Sequence, residues 1–154
     1  MKGYIAISDD AWCKYLKEIR LEKAVFWRKK TSFKALQEGE YFYFLKRKPI
    51  DGVRWIVGKG KYVRWNILSP HKAWNEYNCA LGYQNETEFL NSIKAIYKSD
   101  DIELGCIVLN NIEFFERPVN LAECGIDFSP YIVSGKTITN DECIKINEKL
   151  ERSM

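Results

Sequence analysis

The sequence predicts an α+β domain: a small bent or closed β-barrel of about five to six strands with helices at its periphery. Three observations lead there. Short runs of β-branched and aromatic residues recur between Tyr4 and Phe115, with helical segments inserted between them. Gly58 and Gly60 interrupt one of those runs, as bulges and sharp bends in a closing sheet do. No Gly-x-Gly-x-x-Gly, no Walker-type loop and no fixed-period repeat occurs, which removes the nucleotide-binding α/β folds and the solenoids. A length of 154 residues suits about one domain, and 46% hydrophobic with 29% charged residues is the composition of a folded chain with a core.

Each element has its own signal. Tyr4 to Ile7 reads as a short strand. Ser8 is the expected N-cap of a helix in which Trp12, Tyr15, Leu16 and Ile19 share one face, ending near Arg20. Ala24 to Trp27 forms a second strand, followed by the polar run Arg28 to Ser32 and a helical turn at Phe33 to Leu36 that Gly39 ends. Tyr41 to Lys46 is strongly strand-forming, and a turn at Pro49 to Gly52 leads to the glycine-interrupted run Val53 to Leu68. Ser69 with Pro70 opens a helix carrying Ala73, Trp74 and Tyr77, and Asn85 with Glu88 opens another carrying Phe89, Leu90, Ile93, Ile96 and Tyr97. Leu104 to Leu109 and Ile112 to Phe115 pair as a hairpin through Asn110 and Asn111, since asparagine tolerates positive φ. After an irregular stretch, Thr139 to Glu142 has the capping-box pattern and starts a last helix through Leu150.

Several function classes fall away. No run approaches the roughly 18 to 20 apolar residues of a membrane span, and the N-terminus has no apolar signal region, so a cytoplasmic protein is expected. The five cysteines, Cys13, Cys79, Cys106, Cys124 and Cys143, are odd in number and lack Cys-x-x-Cys spacing, which argues for idle thiols over a disulfide framework or zinc ribbon. His71 is the single histidine, so no metal site built on a histidine pair can form. No metal and no cofactor is expected. Nor does any nucleophile have a base and an orienting group in sight, so this chain alone is not expected to be an enzyme.

The net charge of +3 conceals an asymmetry: residues 1–77 carry 17 Lys+Arg against 8 Asp+Glu, and residues 78–154 carry 7 against 13. The first half gathers its cations at Arg28, Lys29 and Lys30, at Lys46, Arg47 and Lys48, and at Lys59 and Lys61. Any one such cluster is what a sheet edge uses to discourage pairing. Three clusters interleaved with aromatics point to a polyanion, with these residues as phosphate contacts and the rings as surfaces on which bases stack.

The order Phe26-Trp27-Arg28-Lys29-Lys30-Thr31-Ser32-Phe33, then Trp55 to Tyr62, Ser69 to Asn78, Leu104 to Phe115 and Val133 to Thr137 resembles the N-terminal domain of bacterial HNH endonucleases of the modification-dependent restriction type. Those domains belong to the PUA superfamily and resemble EVE and SRA readers. The resemblance covers roughly residues 4–138 and rests on dispersed aromatic and glycine patterns. It implies a PUA-like pseudo-barrel that flips a modified base, 5-methylcytosine or 5-hydroxymethylcytosine, out of double-stranded DNA into an aromatic pocket. Extrusion is the way to reach an edge hidden in a duplex, and its cost of a few kcal/mol must be offset by stacking and phosphate contacts.

On that resemblance Trp27, Arg28, Lys30, Ser32 and Phe33 fall at the pocket. Trp65, Trp74, Tyr77 and Asn78 form a second group, in which the helix after the glycine-interrupted strand closes over the pocket mouth and Asn78 bonds a base edge. Trp55 and Trp65 lie beside Arg54 and Arg64 as stacking or cation-π partners, and Asp127 next to Phe128 offers an acceptor for an exocyclic amine. Trp27, Phe33 and Trp74 are also read as ordinary packing residues. The expected division is a nucleic-acid-binding domain over 1–138 and a C-terminal helix over 139–154 leading toward a missing nuclease domain. The alternative is an RNA-binding PUA-like module, which the charge pattern does not separate from the DNA reader. Oligomeric state stays open.

Overall fold

A computed structural model describes residues 1–29, 32–132 and 134–152. Six strands and four α-helices follow the chain: β1 Gly3–Ser8, α1 Asp10–Ile19, β2 Ala24–Lys29, β3 Tyr41–Lys46, β4 Trp55–Leu68, α2 Pro70–Tyr77, α3 Glu86–Tyr97, β5 Leu104–Asn120, β6 Gly135–Ile138 and α4 Asn140–Arg152. Short 3-10 turns cover Asn78–Leu81 and Leu121–Cys124. The strands form one sheet in the order β2-β5-β4-β3-β1-β6. Only β1 and β3 run parallel; the other neighbours are antiparallel.

The sheet curls until its second-strand edge approaches the middle. The ring of Phe26 on β2 lies 5.2 Å from Phe42 on β3, although two strands separate them in the sheet. Trp12 on α1 closes the gap, edge-on to Phe26 at 5.6 Å and to Phe44 at 5.3 Å. The result is an open half-barrel, an α+β architecture as the sequence predicts. Glycine makes the tight centre possible. A Cβ on Gly58 would stand 2.7 Å from the Glu113 carbonyl oxygen, and one on Gly60 would stand 2.5 Å from Ile112 Cδ1.

Three apolar clusters hold the layers. Ile5, Tyr43, Leu45 and Ile56 meet Cys143, Ile146 and Leu150 of α4. Phe42, Phe44, Tyr62 and Ile107 meet Trp12 and Leu16 of α1 on the concave side. Val25, Leu104, Cys106 and Val108 meet Ala73, Tyr77, Phe89 and Ile93 of α2 and α3. Both faces of β3 are therefore covered, which accounts for its run of large apolar residues. Four cysteines sit inside these layers, and burial pushes the thiols of Cys13 and Cys106 up to about 12. No helix among the described residues is long and apolar enough to cross a membrane.

Four local expectations need correction. The N-cap of α1 is Asp9, whose carboxylate accepts the Trp12 N–H at 3.1 Å, while Ser8 is buried and donates to the Ala6 carbonyl. No helix forms over Phe33 to Leu36. The stretch after Phe115 is less irregular than it reads, since β5 runs on to Asn120 and β6 follows. Asn110 and Asn111 do not turn the chain. Asn111 does take a φ of 51°, yet β5 continues through it, with Lys59 and Lys61 of β4 opposite Glu113 and Asn110. The extra residue on β5 is a bulge, and the Ile112 N–H it turns outward donates to the Glu22 carbonyl at 3.0 Å. The capping box at α4 forms as expected: Thr139 N–H donates to Glu142 Oε1 at 3.0 Å and Glu142 N–H to Thr139 Oγ1 at 3.2 Å.

Candidate functional site

Where α1 starts and β1, β2 and β3 end, the half-barrel leaves a cavity of about 340 Å³. Aromatic residues make up much of its lining: Trp12 and Phe26 from the concave cluster, Trp27 from β2, Tyr83 after the first 3-10 turn, and Tyr97 from the last turn of α3. Ile7 and Ile96 add aliphatic surface, Ser134 closes one side, and the charged lining is Arg28, Arg47 and Asp9.

Hydrogen bonds fix these walls. The Trp27 indole N–H donates to the Leu81 carbonyl at 2.9 Å, and its ring meets Phe89 edge-on at 5.3 Å. Its polar edge is thereby used, leaving the ring surface. Tyr97 accepts the Lys29 backbone N–H on its hydroxyl at 3.0 Å, tying the end of α3 to the end of β2. Ser134 is held by its carbonyl, which accepts the Ile7 N–H at 2.8 Å. Arg28 is half-buried with its guanidinium 6.0 Å from the Phe33 ring centre, whereas Arg47 is exposed. Trp12 is 5% exposed and its indole N–H is buried without a hydrogen-bond partner among the described residues. Asp9 is occupied as the helix cap.

Of the residues singled out from the sequence, the structure brings Trp27, Arg28 and Arg47 to this cavity. Lys29 and Lys48 are exposed next to two of them, and Lys46 pairs with Asp10 at 3.3 Å. Lys30 lies outside the described residues. Ser32 is exposed, and Phe33 is buried, edge-on to Tyr4 at 5.1 Å and 5.5 Å from Tyr62. Lys59 and Lys61 stand elsewhere: Lys59 bonds Asn147 of α4 at 3.2 Å, and both ammoniums lie over the Tyr41 ring. Burial lowers the Lys59 ammonium from its ordinary value.

The second group does not gather at the mouth. Helix α2 packs its Ala73 and Tyr77 face against β5 because that is its apolar stripe, and the Tyr77 hydroxyl accepts from Asn66 at 2.7 Å. Trp74 rests 5.9 Å from Phe89, Trp65 packs half-buried on the concave cluster, and Asn78 is the exposed C-cap of α2. The cation-π partner of Arg54 is Phe128 at 5.2 Å, not Trp55. Asp127 is exposed and contributes its backbone carbonyl to Lys136 at 2.6 Å. The segment that does reach the cavity from this region is Tyr83, Ile96 and Tyr97. Tyr83 follows Gly82, outside either helical stripe, and that was the available signal; Trp12 and Phe26 carried none that separates them from core.

Among the described residues no group of three or more His, Cys, Asp or Glu is placed to hold a metal ion. No protein-family model matches the chain, and no curated protein matches it. Solved structures do. ASCH from Zymomonas mobilis superposes with a TM-score of 0.67 at 16% identity, covering 96% of this chain and 94% of that one. A tyrosine-to-phenylalanine variant of the same protein gives 0.69 at 14% identity, covering 96% and 98%. PSPTO5229 from Pseudomonas syringae gives 0.53 at 16% identity, covering 95% and 97%. The chain has the half-barrel fold of the Zymomonas mobilis ASCH structures. At such identities the likeness concerns the fold alone.

Proposed function

We propose that the protein is a nucleic-acid-binding module that takes one unstacked base into the cavity beside Trp27. The observation that carries this reading is an aromatic cavity of about 340 Å³ with Arg28 and Arg47 in its lining, set in a PUA-like half-barrel. That volume is at the small end of the roughly 300–1,000 Å³ typical of small-ligand pockets, which suits one base and excludes a stacked pair. Stacking on such rings contributes about 1–3 kcal/mol per base, enough to offset unstacking when the phosphates are also held. The ASCH name of the structural neighbours fits a PUA-like binder. On this reading the chain binds and does not catalyse; unchanged substrate after prolonged incubation is the expected result.

The finer reading is a reader of 5-methylcytosine or 5-hydroxymethylcytosine extruded from duplex DNA, as in modification-dependent restriction. Ile7 and Ile96 in the lining are the apolar surface that a 5-methyl group would contact. A specific observation favours single-stranded RNA as the second reading. With Lys59 at α4, Lys61 over the Tyr41 ring and Lys46 paired with Asp10, the basic surface at the cavity is smaller than three clusters suggest, so fewer phosphates are engaged than a duplex presents.

Competition binding at physiological salt decides between them, using matched duplexes with cytosine, 5-methylcytosine or 5-hydroxymethylcytosine beside a single-stranded RNA. A tenfold preference, about 1.4 kcal/mol, for one modified duplex supports the DNA reader. Preference for the RNA supports the alternative, and no binding to any of them, or affinity indifferent to salt, removes the nucleic-acid reading altogether.

A further inference from the structure

Arg28 and Arg47 reach the same cavity from different strands. Arg28 sits in β2 opposite Gly105, and Arg47 directly follows β3. The chain has 17 lysines and 7 arginines, yet both cations lining the cavity are arginines. The distinction is chemical: a guanidinium presents a planar fork that matches phosphate oxygens two at a time, whereas an ammonium acts as a point charge.

Neither guanidinium has a carboxylate partner among the described residues. The carboxylate of Asp9, the one acidic side chain in the lining, caps α1 by accepting the Trp12 N–H. Asp10 beside it pairs with Lys46. The lining therefore carries two guanidiniums against one carboxylate, a net positive charge that a bound anion would offset. The same lining holds Trp27, Tyr83 and Tyr97, whose rings suit a base. The Tyr97 hydroxyl accepts from Lys29 and keeps its own hydrogen to donate.

We infer that the cavity is a single-nucleotide site whose ligand carries its own phosphate, held between Arg28 and Arg47, with the base against the aromatic wall. This rests on the reading of the cavity as a base site and narrows it. The recognised unit is a nucleoside monophosphate, free or as one residue of a strand, and neither a bare base nor a length of duplex backbone. Binding to the isolated mononucleotide follows, because every contact lies within one cavity.

The test titrates the intact chain with the four ribonucleosides, their 5′- and 3′-monophosphates, and inorganic phosphate, following tryptophan fluorescence and heat. One monophosphate is expected to bind at least tenfold tighter than its nucleoside, and the 5′ and 3′ series show which phosphate is held. Arg47→Gln, at an exposed position that leaves the core intact, should bring that monophosphate down to the affinity of the nucleoside. Arg28→Gln should do the same, with circular dichroism checking its fold. Equal affinity for nucleoside and monophosphate overturns the phosphate clamp while leaving the base site standing. Binding of an oligonucleotide with no mononucleotide bound overturns the single-nucleotide site, and failure of every ligand, the oligonucleotide included, overturns the base reading as well.

Discussion

The indole N–H of Trp27 donates to the carbonyl oxygen of Leu81 at 2.9 Å, joining the end of β2 to a 3-10 turn 54 residues further on. The bond uses the one polar atom of the side chain and holds the ring in the cavity wall. The bond and the ring surface are different parts of the same residue.

Substitution separates the two. Trp27→Phe keeps a ring and loses the bond, and should cost about 1 kcal/mol in urea denaturation with base preference largely kept. Trp27→Ala removes the ring against Phe89 and should cost about 3 kcal/mol together with that preference. A folded Ala variant with full preference would place base recognition elsewhere.

The lysines over Tyr41 are predicted to be silent in binding. Lys59 bonds Asn147 of α4 and both ammoniums lie over the Tyr41 ring, neither in the cavity lining. Lys61→Ala should leave nucleic-acid affinity within about twofold and the salt dependence unchanged, whereas Arg47→Gln should lower the slope of log affinity against log salt by about one.

Asn111 carries a left-handed φ of 51° inside β5. Asn111→Gly should be neutral within about 0.5 kcal/mol, while Asn111→Val should cost about 1–2 kcal/mol, because a β-branched residue meets its own backbone there. Thermal melts of the two variants read the difference.

Glu40 gives a pH dependence. It is 8% exposed, and burial opposes its ionisation, but the backbone N–H groups of Gln37 at 2.6 Å and Lys2 at 2.8 Å outweigh burial and hold its carboxyl below the usual range. A carboxyl lowered in the folded state contributes stability above its unfolded pKa, near 4.3, and loses it as pH falls through the folded value. Glu40→Gln should therefore be less stable than the parent at pH 7, and the gap should close on acidification below about pH 4.

Thiol chemistry tests the layering. Cys13, Cys106, Cys124 and Cys143 are buried, with burial raising each thiol, and Cys79 is half-exposed. A thiol reagent should modify Cys79 first in the native protein and reach the other four only on unfolding. Rapid native reaction at Cys143 would mean that α4 leaves the sheet readily.

Much of this fold was legible because the signals are local. Pro70 after Ser69, the reciprocal Thr139 and Glu142 pair, and the glycines of β4 each specify geometry within a few residues. Local signals also misled where the local geometry was right and its setting was not. Asn111 took the positive φ that a hairpin needs, but continued pairing with β4 on one side and the bond from Ile112 to Glu22 on the other made it a bulge.

The residues by themselves determined the α+β class, the first four strands and the four helices, a positive first half and the pairing of Trp27 with Arg28 at the end of β2, because period, capping and composition act over short spans. Only the tertiary structure decided which cations share a site. Arg47 joins Arg28 while Lys59 goes to α4 and Lys61 to the Tyr41 ring, and Tyr83 and Tyr97 complete a lining begun by Trp12 and Phe26. That sorting depends on the curl of the sheet, a sum of small twists and bulges along β4 and β5 that no single stretch of sequence contains.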